Sequence, residues 1–217
     1  MGTRRALRTV ENAVRRLGFV RVAGVDEVGR GCLAGPVLAA AVVLDPGRHV
    51  KGLRDSKQLT AGERERLHDE IVGTAVAWAV ARVEADEIDR LNIHRASLKA
   101  MRHAVVALEP LPDFVLVDAF HIPGILMAQR GVVRGDARCA AIAAASIVAK
   151  VRRDRLMCSL HERDPRYGFD RHKGYGTPTH LAAVARFGYS SAHRLSFRPP
   201  TLFDGLDEPR PSDGPRG

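Results

Sequence analysis

The stretch that decides the fold is residues 22–36, VAGVDEVGRGCLAGP. A largely apolar segment, FVRVAGV at residues 19–25, runs straight into two adjacent acids, Asp26 and Glu27. A loop follows in which Gly29 and Gly31 flank Arg30. Carboxylates at the end of a buried strand are costly unless something pairs with them, and a metal ion is the partner their chemistry favours. The glycine loop offers bare backbone N–H groups and one guanidinium, which suits a phosphate. A metal site touching a phosphate site implies phosphoryl chemistry. Neighbouring side chains on a regular strand point to opposite faces. Asp26 and Glu27 therefore share a site only if the strand ends or bulges there, which Gly29 permits.

Outward from this stretch, residues 36–44 form a second strand, apolar throughout and buried in pattern. Residues 51–60 read as a loop. Thr60 with Glu63 three residues on forms a capping box and predicts a helix over 61–72. Residues 75–83 predict a third strand, and 85–91 a short helix. Asn92 caps a helix over 93–108 that Pro110 and Pro112 stop. A short buried strand at 114–117 delivers Asp118. Residues 137–162 predict one long helix, alanine-rich in its first half, and 177–187 a further helix with Pro178 in its first turn. Near the N-terminus, Ala6, Val10, Ala13, Val14 and Leu17 mark an amphipathic helix. Strands alternating with helices after an antiparallel start imply an α/β fold, a mixed sheet with helices on both faces.

At 217 residues with 45% hydrophobic and 27% charged residues, the chain suits a soluble single domain with a full core. That domain is expected over 1–198, with a flexible Pro- and Gly-rich tail over 199–217. The net charge of +9 favours a polyanionic partner, nucleic acid or an anionic membrane surface. No apolar stretch reaches the ~18–20 residues that span a bilayer. The basic N-terminus lacks the apolar core of a secretory signal. Cys32, Cys139 and Cys158 form no CxxC pair and no even framework, which fits a reducing cytoplasm. The nine histidines show no zinc spacing, and Cys32 reads as a small buried hydrophobe.

Four acids stand out: Asp26, Glu27, Asp118 and Asp136. Taken alone, Asp136 at a helix start fits a cap and Asp118 fits a turn; the Asp26-Glu27 pair has the best independent claim to ligation. If they converge, they suit two Mg²⁺ or Mn²⁺ ions around a scissile phosphate. On the long helix, Ser146, Lys150 and Arg153 share one face, and Ser146 and Lys150 are candidate phosphate contacts. Arg152 and Arg155 read as a solvated basic face. Tyr175 lies between two glycines, where an exposed ring could stack on a sugar or base; a turn with one half-buried tyrosine fits as well. Gly29, Gly31 and Gly35 approach a dinucleotide fingerprint, but Pro36 and a strand follow where that fingerprint needs a helix.

DEVGRG with its downstream GP resembles the signature of the type 2 ribonucleases H, the ribonuclease HII family. Further blocks follow in the family's order: DSKQL at 55–59, LVDAF at 116–120, GDARCAAIAAASIVAKVRRD at 135–154, HKGYGT at 172–177 and HRLSF at 193–197. The resemblance implies a ribonuclease H-like mixed sheet with a small helical C-terminal segment from about Gly168. It makes Asp26, Glu27, Asp118 and Asp136 the metal-binding catalytic acids; the chemistry expected of them has Asp26 shared between two ions and the other three completing the shells. It implies cleavage of the RNA strand of RNA–DNA hybrids, and 5′ of single ribonucleotides in duplex DNA, giving 3′-hydroxyl and 5′-phosphate ends. It assigns the backbone of Gly29, Arg30 and Gly31 to the ribose 2′-OH, Tyr175 to the nucleotide after the ribonucleotide, and Lys57 and Arg194 to phosphates. Where the family often has Gly-Asn after the third acid, this chain has Ala119-Phe120, so the local turn differs. The tail segment Pro200-Thr201-Leu202-Phe203 loosely resembles motifs that dock on sliding clamps, although an apolar staple onto the core explains it better. A monomer suffices. The alternatives are another two-metal nuclease, such as a junction resolvase, and a non-catalytic RNA- or hybrid-binding protein.

Overall fold

The computed structural model describes residues 7–197. The expected tail over 199–217, its Leu202-Phe203 segment and Ala6 lie outside the described residues. Among the described residues five strands form one sheet: β1 Val22–Val28, β2 Val37–Val43, β3 Ala77–Val83, β4 Phe114–Asp118 and β5 Ala128–Val132. Their order is β3-β2-β1-β4-β5. The β1–β2 and β2–β3 pairs are antiparallel, whereas β4 runs parallel to both β1 and β5. The sheet is therefore mixed, as expected.

The helices are α1 Thr9–Arg16, α2 Ala61–Thr74, α3 Ala85–Leu91, α4 Ile93–Val106, α5 Gly135–Arg138, α6 Ala140–Arg163, α7 Phe169–His172 and α8 Pro178–Phe187. Strand alternation divides the core between the two faces. Leu38, Ala40 and Val42 of β2 pack with Leu67 and Ile71 of α2 and Ile142 and Ile147 of α6. Val37, Ala39, Ala41 and Val43 pack with Met101, Ala104 and Val105 of α4. The capping box of α2 is present, with Thr60 N–H donating to Glu63 at 2.8 Å and Glu63 N–H to Thr60 Oγ1 at 3.3 Å. The Asn92 carboxamide oxygen caps α4 by accepting from Arg95 N–H at 3.1 Å.

Two elements differ from the sequence expectation. The long helix is interrupted at Cys139, which is extended (φ −131°, ψ 120°). Its N–H closes the single turn of α5 onto Gly135 O at 2.7 Å. Buried Glu11 of α1 then caps the fresh start of α6, accepting from Ala141 N–H at 2.7 Å. The strand β5 was not expected; its sequence AQRGV is polar because it is a largely exposed edge.

Helix α6 lies unusually close to β1. A Cβ on Gly24 would stand 2.1 Å from the Ala141 carbonyl carbon. Glycine there, with the alanines of α6, lets the helix settle onto the strand and brings Ser146 beside Asp26. The far half of α6 supports a smaller cluster of Met157, Tyr167, Phe169, Val184 and Ala34 that includes α7 and α8. Among the described residues, no helix is long and apolar enough to cross a membrane.

Candidate active site

A pocket opens where β4 ends and β1 continues. Pairing between them runs from Val22↔Phe114 to Val25↔Val117 and stops, while β1 stays in regular register with β2 through Asp26↔Ala40 and Glu27↔Ala39. No bulge is needed for both acids to line the pocket: the cavity wraps around the end of β1 after its neighbour has left. Asp26, Glu27, Asp118 and Asp136 all line it, facing Gly29, Arg30, Gly31 and Tyr175, with Ser56, Lys57, Ser146 and Lys150 completing the walls.

Burial raises the proton affinity of all four acids. Asp26 is pushed well above the usual carboxylate range, first by burial and then by the charges of Glu27 and Asp118. Its Oδ1 accepts from Glu27 N–H at 2.8 Å, and the Ser146 hydroxyl bonds to its carboxylate. Ser146 is in turn held by Ser56, with the hydroxyls 2.9 Å apart. Burial raises Glu27, opposed by the Arg30 guanidinium at 3.4 Å. Burial raises Asp118, opposed by Gly135 N–H, which donates to its Oδ1 at 2.7 Å, and by Lys57. Gly135 has no room for a side chain, since a Cβ would stand 2.5 Å from Ile142 Cδ1. Burial raises Asp136 too, with Asp55 and Asp118 adding repulsion. Among the described residues, no three His, Cys, Asp or Glu side chains stand at ligand spacing around one point. The acids share the pocket without being gathered. Their donor set is nonetheless all carboxylate oxygen and like-charged, and its chemistry fits hard divalent cations such as Mg²⁺ or Mn²⁺.

The opposite wall is made of loop backbone pinned from behind. Buried Arg194 donates from Nη2 to Gly29 O at 2.7 Å, from Nη1 to Arg30 O at 3.0 Å and from Nε to Gly35 O at 3.0 Å. Peptide units are trans and planar, so these inward carbonyls turn the N–H groups of Arg30 and Gly31 the other way. Among the described residues neither N–H has a hydrogen-bond partner, and together they form an anion-accepting nest. Buried Arg153 supports the same loops, donating to Pro36 O at 3.1 Å, Lys173 O at 2.9 Å and Ala34 O at 3.1 Å. Gly29 takes φ +93°, and a Cβ there would meet Arg153 Nε at 2.2 Å.

Arg194 is 1% exposed, it donates to these carbonyls, and burial lowers its pKa to about 10; it holds the loop from behind and is not among the residues that line the pocket. Arg153, on the helix face of Ser146 and Lys150, is fully buried and supports these loops rather than the pocket. Lys57 and Lys150 do line the pocket, Lys150 while bound to Asp154 at 2.7 Å. Tyr175 is 44% exposed at the pocket, and Cys32 is buried beneath it.

Sequence reasoning missed Ser56, Asp55 and Phe120. The signal for the first two was the DSK run itself: Asp55 Oδ1 accepts from Lys57 N–H at 2.9 Å and sets the turn that presents Ser56 and Lys57. Phe120 lies under Arg30, with its ring centroid 4.9 Å from the guanidinium carbon.

The chain matches the ribonuclease HII family over residues 23–199. It is 57% identical to the ribonuclease HII of Nitrosococcus oceani over 183 residues, which is 84% of this chain and 91% of that one. Its fold aligns with the ribonuclease H2 of Pyrococcus horikoshii OT3 at a TM-score of 0.69 and 27% identity, covering 82% and 93% of the two chains. The ribonuclease HII of Archaeoglobus fulgidus, solved as a complex with PCNA, aligns at 0.69 and 26% identity, covering 85% and 100%. A ribonuclease H-like mixed sheet, a pocket lined by acids at its strand ends and these likenesses lead to one conclusion: the chain belongs to the ribonuclease HII family and is a nuclease hydrolase, an endoribonuclease.

Proposed function

We propose that this chain hydrolyses the RNA strand of RNA–DNA hybrids and cuts 5′ of single ribonucleotides in duplex DNA, leaving 3′-hydroxyl and 5′-phosphate ends. The observation that carries it is one pocket lined by four acids and by a nest of backbone N–H groups that have no partner among the described residues. Asp26, Glu27, Asp118 and Asp136 would hold two Mg²⁺ or Mn²⁺ ions. Bound there, such ions activate the attacking water and offset charge on the leaving oxygen. The chain's own groups bind and orient. Lys57 and Lys150 attract the phosphodiester backbone. The N–H groups of Arg30 and Gly31 recognise the ribose 2′-OH, the group that separates RNA from DNA. Tyr175 packs on the next nucleotide and senses the RNA-to-DNA junction. Ser146, tied to Ser56, orients Asp26.

The test uses a labelled DNA duplex carrying one ribonucleotide and an all-DNA control, with Mg²⁺, Mn²⁺ or chelator, for wild type and Asp136→Asn. The expected result is one metal-dependent cut beside the ribonucleotide, absent from the control and from the variant. Equal cutting of both duplexes would identify a general two-metal nuclease, and binding without cutting would identify a hybrid-binding protein. Contact with a sliding clamp through Leu202 and Phe203 is a second part of the reading, supported by the PCNA complex of the A. fulgidus relative. Loss of co-migration with the clamp on replacing both residues by Ala tests it.

A further inference from the structure

Behind Tyr175 lies a chain of imidazoles that the chemistry above does not use. His180 and His193 are 0% and 3% exposed, with their Nε2 atoms 3.1 Å apart. His180 Nδ1 stands 2.9 Å from Tyr175 O. His193 Nδ1 stands 3.0 Å from Ser190 N–H and 2.9 Å from its hydroxyl. His172 stacks on His180 at 4.3 Å, with Nε2 at 2.7 Å from Tyr167 O and Nδ1 at 3.2 Å from Gly174 N–H.

These contacts leave each ring one tautomer. A carbonyl only accepts, so His180 carries its proton on Nδ1 and offers the bare Nε2 to His193. His193 must then donate from Nε2 and accept at Nδ1, which is what the Ser190 backbone N–H requires. His172 donates from Nε2 to Tyr167 O and accepts from Gly174. Protonating either member of the His180–His193 pair would aim a donor at a donor. Among the described residues, no carboxylate bonds to either ring.

The two imidazoles grip the backbone on both sides of Tyr175, His172 at Gly174 N–H and His180 at Tyr175 O. The Gly174 carbonyl in turn accepts from Leu33 N–H at 2.8 Å, within the segment that Arg194 and Arg153 pin. We infer that His180, donating to Tyr175 O and accepting from His193, is a positioning residue that sets the Tyr175 ring against the loop of residues 29–31 and so sharpens selection of the ribonucleotide junction. This rests on the substrate role of Tyr175 proposed above.

The experiment compares His180→Phe, His180→Asn and Tyr175→Ala with wild type in the full chain, on the single-ribonucleotide duplex and on an RNA–DNA hybrid. The Asn carboxamide can still donate to Tyr175 O, whereas Phe cannot, and both lose the bond to His193. A merely structural role would treat the two alike. His180→Phe should raise KM on the single-ribonucleotide duplex roughly tenfold, with kcat and the hybrid much less affected, and Asn should stay within about threefold of wild type. If His180→Phe does not fold, His180→Ala takes its place. Nitrogen-15 spectra of histidine-labelled protein should show the Nδ1–H tautomer for His180 and Nε2–H for His193. Opposite tautomers, or equal behaviour of Phe and Asn, would overturn the inference. If Tyr175→Ala raises KM and His180→Phe does not, the inference alone is lost; if Tyr175→Ala changes nothing, the substrate role of Tyr175 fails and the inference falls with it.

Discussion

The two walls of the pocket are built in opposite ways. The acid wall hangs from regular elements: the end of β1, the end of β4 and the single turn of α5. Its charged groups repel one another, and burial works against their ionisation. The facing wall is loop backbone, and its inward carbonyls are satisfied by two buried arginines and its flanks by neutral histidines. One wall is poised for a cation at a cost to stability, and the other is rigid because its supports lack alternatives. Rate and selectivity should therefore be separable by mutation.

The largest break is Asp26→Asn. Hydrolysis of the single-ribonucleotide duplex should fall roughly 10³-fold, the scale of losing metal-borne charge stabilisation. Stability should move the other way. Asp26 holds its proton more tightly when folded than the ~3.9 of an unfolded aspartate, so the folded state loses stability as pH climbs from that value through the raised one. At pH 7 that penalty is present and Asn removes it. Melts at pH 7 in chelator should show a higher Tm for the variant.

Arg194→Met attacks the other wall. It strands the carbonyls of Arg30 and Gly35 and leaves Gly29 O only the Cys32 N–H at 3.4 Å, at a cost of about 3 kcal/mol. A denaturant midpoint measures that cost. Steady-state kinetics on the same duplex should show KM rising more than kcat falls.

Acid sharpens the contrast further. Burial and its histidine neighbours lower the His193 pKa to about 4, while the unfolded chain takes up that proton at ~6.5. The stability it protects is complete above the unfolded value and is lost as pH falls from about 6.5 to 4. Asp26 changes with the opposite sign at its own raised value. The titratable groups acting on His193 are His180, His172 and Asp164. His193→Phe should flatten this interval when denaturant midpoints are compared between pH 7.5 and 4.5.

The smallest expected effect is Ala119→Gly, which relaxes an alanine held at φ +57° immediately after Asp118. It should stabilise by about 0.5–1 kcal/mol in a thermal melt. This is the turn at which the sequence leaves the family's Gly-Asn pattern, and the strain marks the departure.

Sequence carried the acid wall well. Apolar runs ending in Asp26 and Asp118 are strands whose period and burial are written in side-chain type. The caps at Thr60 and Asn92 likewise depend on local chemistry alone. Buried charge was illegible: Arg153 and Arg194 look like any surface cation until the carbonyls they satisfy are brought in from residues more than a hundred positions away. The edge strand β5 was hidden because exposed polar residues leave no alternation to detect. The break at Cys139 was hidden because alanine-rich sequence favours continuing a helix, and only the distant Glu11 cap shows where α6 starts again.

The distance between Arg194 and its acceptors has a consequence for how the molecule is made. Gly29 O and its donor are 165 residues apart. A chain synthesised from its N-terminus has all four acids by residue 136, and β1, β2 and β4 between them. The loop facing those acids gains its last supports only when residues 190–194 emerge. The acids of the cutting edge thus all precede, in chain order, the residues that complete the substrate gauge facing them.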